Sequence, residues 1–211
     1  MLTVNADRDV VERQLGDGEL ACPSCGGVLA RWGSGAERRV RLPGEPGEEQ
    51  ARHVVLVPRR ARCRQCRATH VLLPAWCLAR RADAAGVIGF ALEAKAAGAG
   101  HRVIAEVLGR PASTVRGWLR ALAARAEQVR SVFTALAVSL VSDPPLPAAA
   151  GSPLGDAVAA IAAAASAAAG FLVVGEVARW RLAAAVTSGM LLARSWPAEV
   201  INASWPWAAG G

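Results

Sequence analysis

The chain of 211 residues is long enough for one or two domains, each with its own core. Hydrophobic residues make up 53% of it, but many of them are alanines, which bury little surface per residue. Charged residues interrupt the N-terminal stretch between Asp7 and Arg13. This excludes a secretory signal peptide and predicts a protein of the reducing cytoplasm.

The net charge of +7 is concentrated in one segment. Residues 54–130 carry 14 Lys/Arg but only four Asp/Glu, a net charge of +10, whereas residues 1–53 and 131–211 are slightly acidic. Such a segment suits a phosphate backbone, because each neutralised phosphate releases counterions. A GC-rich genome also enriches arginine, so the location of the charge is more informative than its amount.

Two Cys-x2-Cys pairs, Cys22/Cys25 and Cys63/Cys66, predict a site for one structural zinc ion. Each pair forms a tight turn whose two thiolates can reach the same tetrahedral ion. Four thiolates leave no open position, so the metal should hold the fold and not activate water. A redox dithiol or two disulfides are the alternatives, but two pairs flanking strand-like segments favour zinc.

The segments around the cysteine pairs predict a small β domain, the zinc ribbon. A short N-terminal strand and a helix around Asp9–Leu15 come first. The runs Val28–Trp32 and Arg38–Leu42 predict a hairpin through Gly33–Gly35, and a later run leads to the second pair. The 37 residues between the pairs exceed the roughly 15–20 of a compact ribbon, and the hairpin, the later run Val54–Val57 and the polar loop Gly44–Gln50 together explain the excess.

Other residues near the second pair leave alternatives open. His70 is a conceivable substitute ligand, but we expect it in a strand, Thr69–Leu73. Cys77 is expected to be a buried apolar thiol. Five arginines crowd around the second pair, which predicts either contact of the ribbon with nucleic acid or a solvated charged rim: Arg59, Arg60, Arg62, Arg64 and Arg67.

Three helices are predicted next, over roughly 84–97, 101–108 and 112–141, and residues 101–120 have the pattern of a helix-turn-helix. Ala105 is small where two helices cross, and Gly109 can adopt the positive φ of the turn. The positions that must be apolar are Ile104, Leu108, Val115 and Trp118. An ordinary pair of antiparallel helices is the alternative, but the basic surroundings favour double-stranded DNA as the partner.

The exposed side of this unit supplies the candidate DNA contacts. Arg116 and Arg120 lie one turn apart on the third helix and are expected to read bases. Arg102 and Arg110 are expected to hold the phosphate backbone. Ser113 and Thr114 lie in the first turn of the third helix, where hydroxyls and free N–H groups can bind a phosphate.

The third helix continues as a heptad seam over residues 115–140, at Val115, Leu119, Leu122, Ala126, Val129, Phe133, Leu136 and Leu140. The seam indicates either a homodimer through a coiled coil or a long helix packed on its own domain. The prolines after Asp143 end this helix and begin a linker.

The remaining chain is rich in alanine. Ala157–Val174 is uncharged and meets the lower length limit of a membrane span, but alanine favours insertion only weakly. We therefore expect a soluble helical hairpin with Arg179–Leu192 as its second helix, and no membrane partner. The C-terminal Trp196, Trp205 and Trp207 show no periodicity and are left without a role.

The motifs CPSCGG, RCRQC, THVLLP and GHRVIAEVLGRPASTVRGWLR together resemble an uncharacterised actinobacterial family of zinc-ribbon/helix-turn-helix proteins. That family is similar in turn to the N-terminal DNA-binding regions of insertion-sequence transposases. The resemblance covers roughly residues 18–130 and implies the same four cysteine ligands and DNA-reading unit. The chain departs from transposases after residue 130, where it lacks the clustered carboxylates of a catalytic core.

We therefore expect an α+β chain, mostly helical, in four parts: a zinc ribbon with an N-terminal arm (1–78), a helix-turn-helix with an extended third helix (79–142), a Pro-rich linker (143–151) and an Ala-rich helical tail (152–211). The expected function is sequence-specific binding of double-stranded DNA, without enzymatic activity, by a cytoplasmic and nucleoid-associated regulator or mobile-element accessory factor. The alternatives are a DNA-binding subunit of a transposase or recombinase with a separate catalytic chain, and a membrane-tethered regulator.

Overall fold

The structure is a computed structural model that describes residues 1–43, 52–144, 147–194 and 196. The predicted loop Gly44–Gln50 and the tryptophans Trp205 and Trp207 lie outside these residues.

The chain forms two compact units. The first contains residues 1–84 together with 184–191, and the second contains residues 85–183 together with 192–194. The predicted boundaries at residues 78 and 151 do not separate these units, because the alanine-rich segment joins the second unit and a later segment returns to the first. Each unit therefore draws on both halves of the sequence.

The first unit is built on two small sheets. Its elements are β1 Leu2–Val4, α1 Arg8–Asp17, β2 Leu29–Ser34, β3 Arg38–Arg41, β4 His53–Leu56, β5 Arg59–Cys63 and β6 Thr69–Pro74. The larger sheet has the strand order β1-β6-β5-β2, with β1 parallel to β6 and the other pairs antiparallel. The smaller sheet consists of β3 and β4, which are antiparallel.

The predicted hairpin between the first two strand-like runs is wrong. β2 pairs with β5, with Leu29 opposite Cys63, and β3 pairs with β4. After β2 the chain does not fold back to pair β3 with β2. The N–H of Gly35 instead donates to the carbonyl of Pro58, just ahead of β5 (2.7 Å), and so continues the contact between β2 and β5. This long-range pairing has a consequence that the hairpin would not have had: it brings both Cys-x2-Cys turns to one end of the sheet.

Helix α1 confirms the short N-terminal helix predicted from the sequence. The Asp7 carboxylate accepts a hydrogen bond from the backbone N–H of Asp9 (2.8 Å) and caps the start of the helix. The helix ends at Gly18, which has a left-handed φ of 75°. Val11 and Leu15, one helical turn apart, are buried in the core of the first unit, so this helix covers one face of the larger sheet.

The segment 184–191 completes the first unit. The hydroxyl of Thr3 donates to the carbonyl of Ala184 (3.2 Å), and the N–H of Ala79 donates to the carbonyl of Gly189 (2.7 Å). Gly189 has a φ of 75° and packs so closely on Leu73 that an added Cβ would clash. The buried part of the β domain therefore includes residues from late in the chain.

The second unit is helical. Its elements are α2 Ala85–Ala96, α3 His101–Val107, α4 Ala112–Ala123, α5 Ala126–Leu140 and α6 Pro153–Leu172, followed by the first part of α7 Arg179–Val186. The predicted long third helix over 112–141 is wrong, because Arg125 has φ −141° and ψ 19° and divides it into α4 and α5. This break lets α5 lie along α6.

The heptad seam over residues 115–140 is largely buried inside the second unit. Val115, Leu122, Val129 and Phe133 are each 0% exposed, because they pack on other helices of the same chain. Within this seam the last two leucines are half-buried. A homodimer through residues 115–140 stays a prediction, and it would have to use the part of the seam that the chain does not already cover.

Helix α6 packs along α5 and also contacts α2 and α4, so the predicted hairpin of α6 with Arg179–Leu192 is wrong. Alanines at successive turns, including Ala157, Ala160, Ala164 and Ala168, let the backbones approach closely. By length and composition α6 could cross a membrane, but 56% of its apolar window is buried by other parts of the protein. Core helices of soluble proteins meet the same length and composition criteria.

One close contact in this unit gives a stability prediction. The Trp180 ring lies against Gly89 of α2, and its indole N–H donates to Glu93 Oε1 (2.8 Å). A Cβ on residue 89 would overlap the ring, so we expect Gly89→Ala to lower the free energy of unfolding by about 3 kcal/mol, as overpacking does. Urea denaturation followed by tryptophan fluorescence measures this change.

The matched control is Gly170→Ala, which also places an alanine in a helix. An added Cβ at residue 170 meets no atom within 4 Å, and the position is exposed. We expect this variant to be as stable as the parent or slightly more stable. Equal effects of the two substitutions would contradict the packing of Trp180 on Gly89.

Candidate metal centre and basic helical surface

The two Cys-x2-Cys turns have the same backbone structure. In the first, the N–H of Cys22 donates to the carbonyl of Gly27 (2.7 Å), and in the second the N–H of Cys63 donates to the carbonyl of Ala68 (2.9 Å). The residue after the second cysteine of each turn has a left-handed φ, 72° at Gly26 and 64° at Arg67. Each turn therefore points two sulfurs in one direction.

These four sulfurs form one cluster. All four lie within 4.8 Å of one another, with 3.5 Å between Cys25 Sγ and Cys63 Sγ and 3.7 Å between Cys22 Sγ and Cys66 Sγ. A tetrahedral ion with metal–sulfur bonds of about 2.3 Å requires sulfur–sulfur distances of about 3.8 Å. The four cysteines are thus able to hold one metal ion, as their spacing predicted.

The protonation of the cluster is uneven. Burial raises the pKa of the Cys63 thiol, but hydrogen bonds from the N–H groups of Cys66 and Gln65 and from neighbouring thiols lower it to about 6. The N–H of Ala68 lowers the pKa of Cys66, whereas the thiols of the cluster and burial raise it to about 12. A negative charge on one sulfur disfavours deprotonation of the neighbouring thiols by repulsion, and a bound cation would offset this repulsion.

His70 lies behind the cluster and not in it. It belongs to β6, as predicted, is only 5% exposed, and places Nε2 3.3 Å from Cys22 Sγ. Burial lowers the pKa of the imidazole, which favours its neutral form. A neutral ring that donates to a sulfur orients the ligand without replacing it. Cys77 is buried outside the cluster, as expected, and burial raises its pKa to about 11.

The second candidate site is the pair α3 and α4. They are joined by the short turn Leu108–Pro111, in which Gly109 has a φ of 56°. Ala105 is buried between the helices, together with Ile104, Val115 and Trp118; Leu108 is only half-buried. The turn and four of the five packing positions expected from the sequence are therefore present, and Leu108 is the exception.

The structure places four of the candidate contact residues on the surface. Ser113, Arg116 and Arg120 are exposed on α4, where spacings of three, four and seven residues put them on one side of the helix. Arg102 is exposed on α3, whereas Arg110 and Thr114 are half-buried. Among the described residues no acidic side chain pairs with Arg102, Arg116 or Arg120.

Gly117 lies in the middle of this exposed side. An added Cβ would meet no atom within 4 Å, so the packing of α4 does not require glycine there. Glycine inside a helix costs about 1 kcal/mol relative to alanine. The sequence analysis assigned no role to this residue; the signal that could have marked it is a glycine at an exposed helix position where alanine would fit.

The arginines near the second cysteine pair divide into two groups. Arg59 is used inside the first unit, where it shares Glu12 with Arg31, whose Nε lies 3.0 Å from Glu12 Oε2. Arg60, Arg64 and Arg67 are exposed.

Comparison of the chain with family models, curated proteins and solved structures found no match.

Proposed function

We propose that the protein binds double-stranded DNA through the exposed side of α4 and that its metal ion is a structural zinc. The observation that carries the DNA proposal is the row Ser113–Arg116–Arg120 on a helix that follows a tight glycine turn. A helix entering the major groove presents such a row to phosphates at its start and to base edges further along.

The electrostatics support the same partner. The segment 54–130, with a net charge of +10, includes α3 and α4 as well as the second cysteine turn. Arginine suits this role because its planar guanidinium pairs with both O6 and N7 of guanine. We propose a binding role without catalysis, as a regulator or an accessory factor of a mobile element.

Zinc is the proposed metal because of the donor set. Four thiolates in a tetrahedral arrangement select zinc or iron among common metals, and a thiolate shell with no open position suits a structural ion. Two of the four cysteines are buried and two are exposed, so the ion would tie the end of the sheet to the surface turns.

The test is a binding titration of the purified full chain with a labelled duplex of mixed sequence at two salt concentrations. We expect binding whose affinity falls steeply with salt, because each neutralised phosphate releases counterions. Genome-wide mapping of bound DNA then gives the recognised sequence. Sites at promoters would indicate a regulator, and sites confined to the ends of mobile elements would indicate an accessory factor. No salt-sensitive binding to any duplex would contradict the proposal.

Gly117 provides a sharper test of the same surface. We expect Gly117→Ala to raise the free energy of unfolding by about 1 kcal/mol, because alanine is the better helix former. We also expect it to weaken duplex binding severalfold, because the added methyl would stand between the helix and the groove. Urea denaturation and the duplex titration measure the two effects on one preparation.

Gly170→Ala is the control for this pair of measurements, since Gly170 is another exposed helical glycine. It should leave the affinity for the duplex unchanged. If Gly117→Ala stabilised the protein and bound DNA as tightly as the parent, α4 would not approach the groove at this position.

A further inference from the structure

The outer face of the sheet formed by β2 and β5 displays a tryptophan. Residues alternate between the two faces of a strand, and Ala61 and Cys63 of β5 point into the core. Arg60 and Arg62 therefore point outward. Opposite them the register of β2 shifts between Arg31 and Gly33, which makes Trp32 the extra residue of a bulge. Bulges often redirect a side chain in this way.

The tryptophan and one arginine form a stacked pair on this face. The guanidinium carbon of Arg62 lies 4.5 Å from the centroid of the Trp32 ring, within the range of a cation–π contact. Arg62 Nε also donates to the carbonyl of Arg67 (3.2 Å), which fixes the guanidinium in place. Trp32 nevertheless remains 52% exposed, an unusual extent for so large an apolar side chain.

Further arginines of β5 and of the second cysteine turn add positive charge near this face. Among the described residues, Arg60, Arg64 and Arg67 form no ion pair, and all three are exposed. By contrast, Arg31 and Arg59 of the same two strands both form ion pairs with Glu12. Within the part of the chain that the structure describes, the face around Trp32 thus combines a flat aromatic surface with arginines that form no ion pair.

We propose that this face, the Trp32–Arg62 platform, binds single-stranded nucleic acid. An unpaired base would stack on the indole, and the flanking phosphates would contact Arg60, Arg64 and Arg67. Exposed aromatic rings beside a basic surface are the general means of binding unpaired nucleotides. Bases inside a duplex are stacked on each other and offer no face to a protein ring, so the platform suits a single strand better than a duplex. This inference does not rest on duplex binding by α4.

The test measures the anisotropy of a fluorescein-labelled oligothymidylate of about 15 nucleotides, long enough for one platform, titrated with the metal-loaded full chain. Trp32→Ala should weaken binding about tenfold or more, and Trp32→Phe should retain most of the affinity because phenylalanine also stacks. Arg116→Ala/Arg120→Ala should leave this affinity unchanged, which separates the platform from the surface of α4.

Three outcomes would overturn the inference. One is unchanged oligothymidylate binding by Trp32→Ala. Another is equal loss with Trp32→Phe, because stacking would then not be the cause. The third is that Trp32→Ala weakens duplex binding as much as oligothymidylate binding, because the face would then serve a duplex. Polyglutamate that displaces oligothymidylate from the parent but not from Trp32→Ala would likewise indicate that the face serves an acidic peptide. If the parent chain fails to bind duplex but Trp32 still governs oligothymidylate binding, the proposed function fails and the platform stands.

Discussion

Replacing Cys63 with serine is expected to release the metal ion and to unfold the larger sheet of the first unit. Cys63 is the last residue of β5, is 1% exposed, and lies opposite Leu29 in the pairing of β2 with β5. Structural zinc supplies about 10–16 kcal/mol in small zinc-binding peptides, which is as large as the whole stability of many domains. The larger sheet is not expected to survive such a loss.

Metal analysis and hydrogen exchange measure this effect. The parent should contain about one zinc per chain and the variant almost none. Amides of β2 and β5 should lose their protection against exchange in Cys63→Ser. The matched control is Cys77→Ala, which removes a buried thiol of the same unit that lies outside the cluster. It should keep its zinc. Full zinc content in Cys63→Ser, or red-brown protein with bound iron in the parent, would contradict a structural zinc site.

The second large effect is expected in Arg116→Ala/Arg120→Ala, which should lose about 100-fold or more in affinity for the best duplex site. Each arginine that pairs with a guanine edge is worth about 1–3 kcal/mol of binding free energy, and both lie on one exposed side of α4. The loss should be larger for the recognised sequence than for random duplex, because base contacts specify and phosphate contacts do not.

The matched control removes the same amount of charge elsewhere. Arg13 of α1 and Arg181 of α7 are exposed, and the double variant Arg13→Ala/Arg181→Ala should bind the duplex within about twofold of the parent. If both double variants weakened binding equally, net charge and not α4 would account for the affinity. If neither had an effect, the DNA-contacting surface would lie elsewhere on the chain.

The local features were the ones that the sequence predicted well. The cysteine cluster follows from spacing, because a Cys-x2-Cys turn is a local structure and two of them suffice for four ligands. The left-handed φ of Gly109 follows from the short turn between α3 and α4, where glycine is the residue with the lowest conformational cost. The short N-terminal helix was predicted around Asp9–Leu15, and α1 extends slightly beyond both ends, between the caps Asp7 and Gly18.

Features that depend on distant parts of the chain were missed. The glycines in Gly33–Gly35 predicted a local hairpin, but β2 pairs instead with β5, which lies further along the chain. Nothing around Arg125 marks the break between α4 and α5, since alanine and arginine are good helix formers; the packing of α5 on α6 overrides that preference. Alanine-rich helices carry little information about partners, so the choice of α5 over α7 as the neighbour of α6 could not be read from α6 itself.

The return of residues 184–191 to the first unit has a consequence for synthesis. The cysteine ligands emerge from the ribosome early, but Thr3 and Ala79 find the carbonyls of Ala184 and Gly189 only after most of the chain has been made. The β domain therefore cannot complete its fold, and part of its core stays uncovered, until the helical unit has been translated. Proteolytic cleavage after residue 84 should not release a finished domain, because its last structural piece is encoded more than 90 residues later.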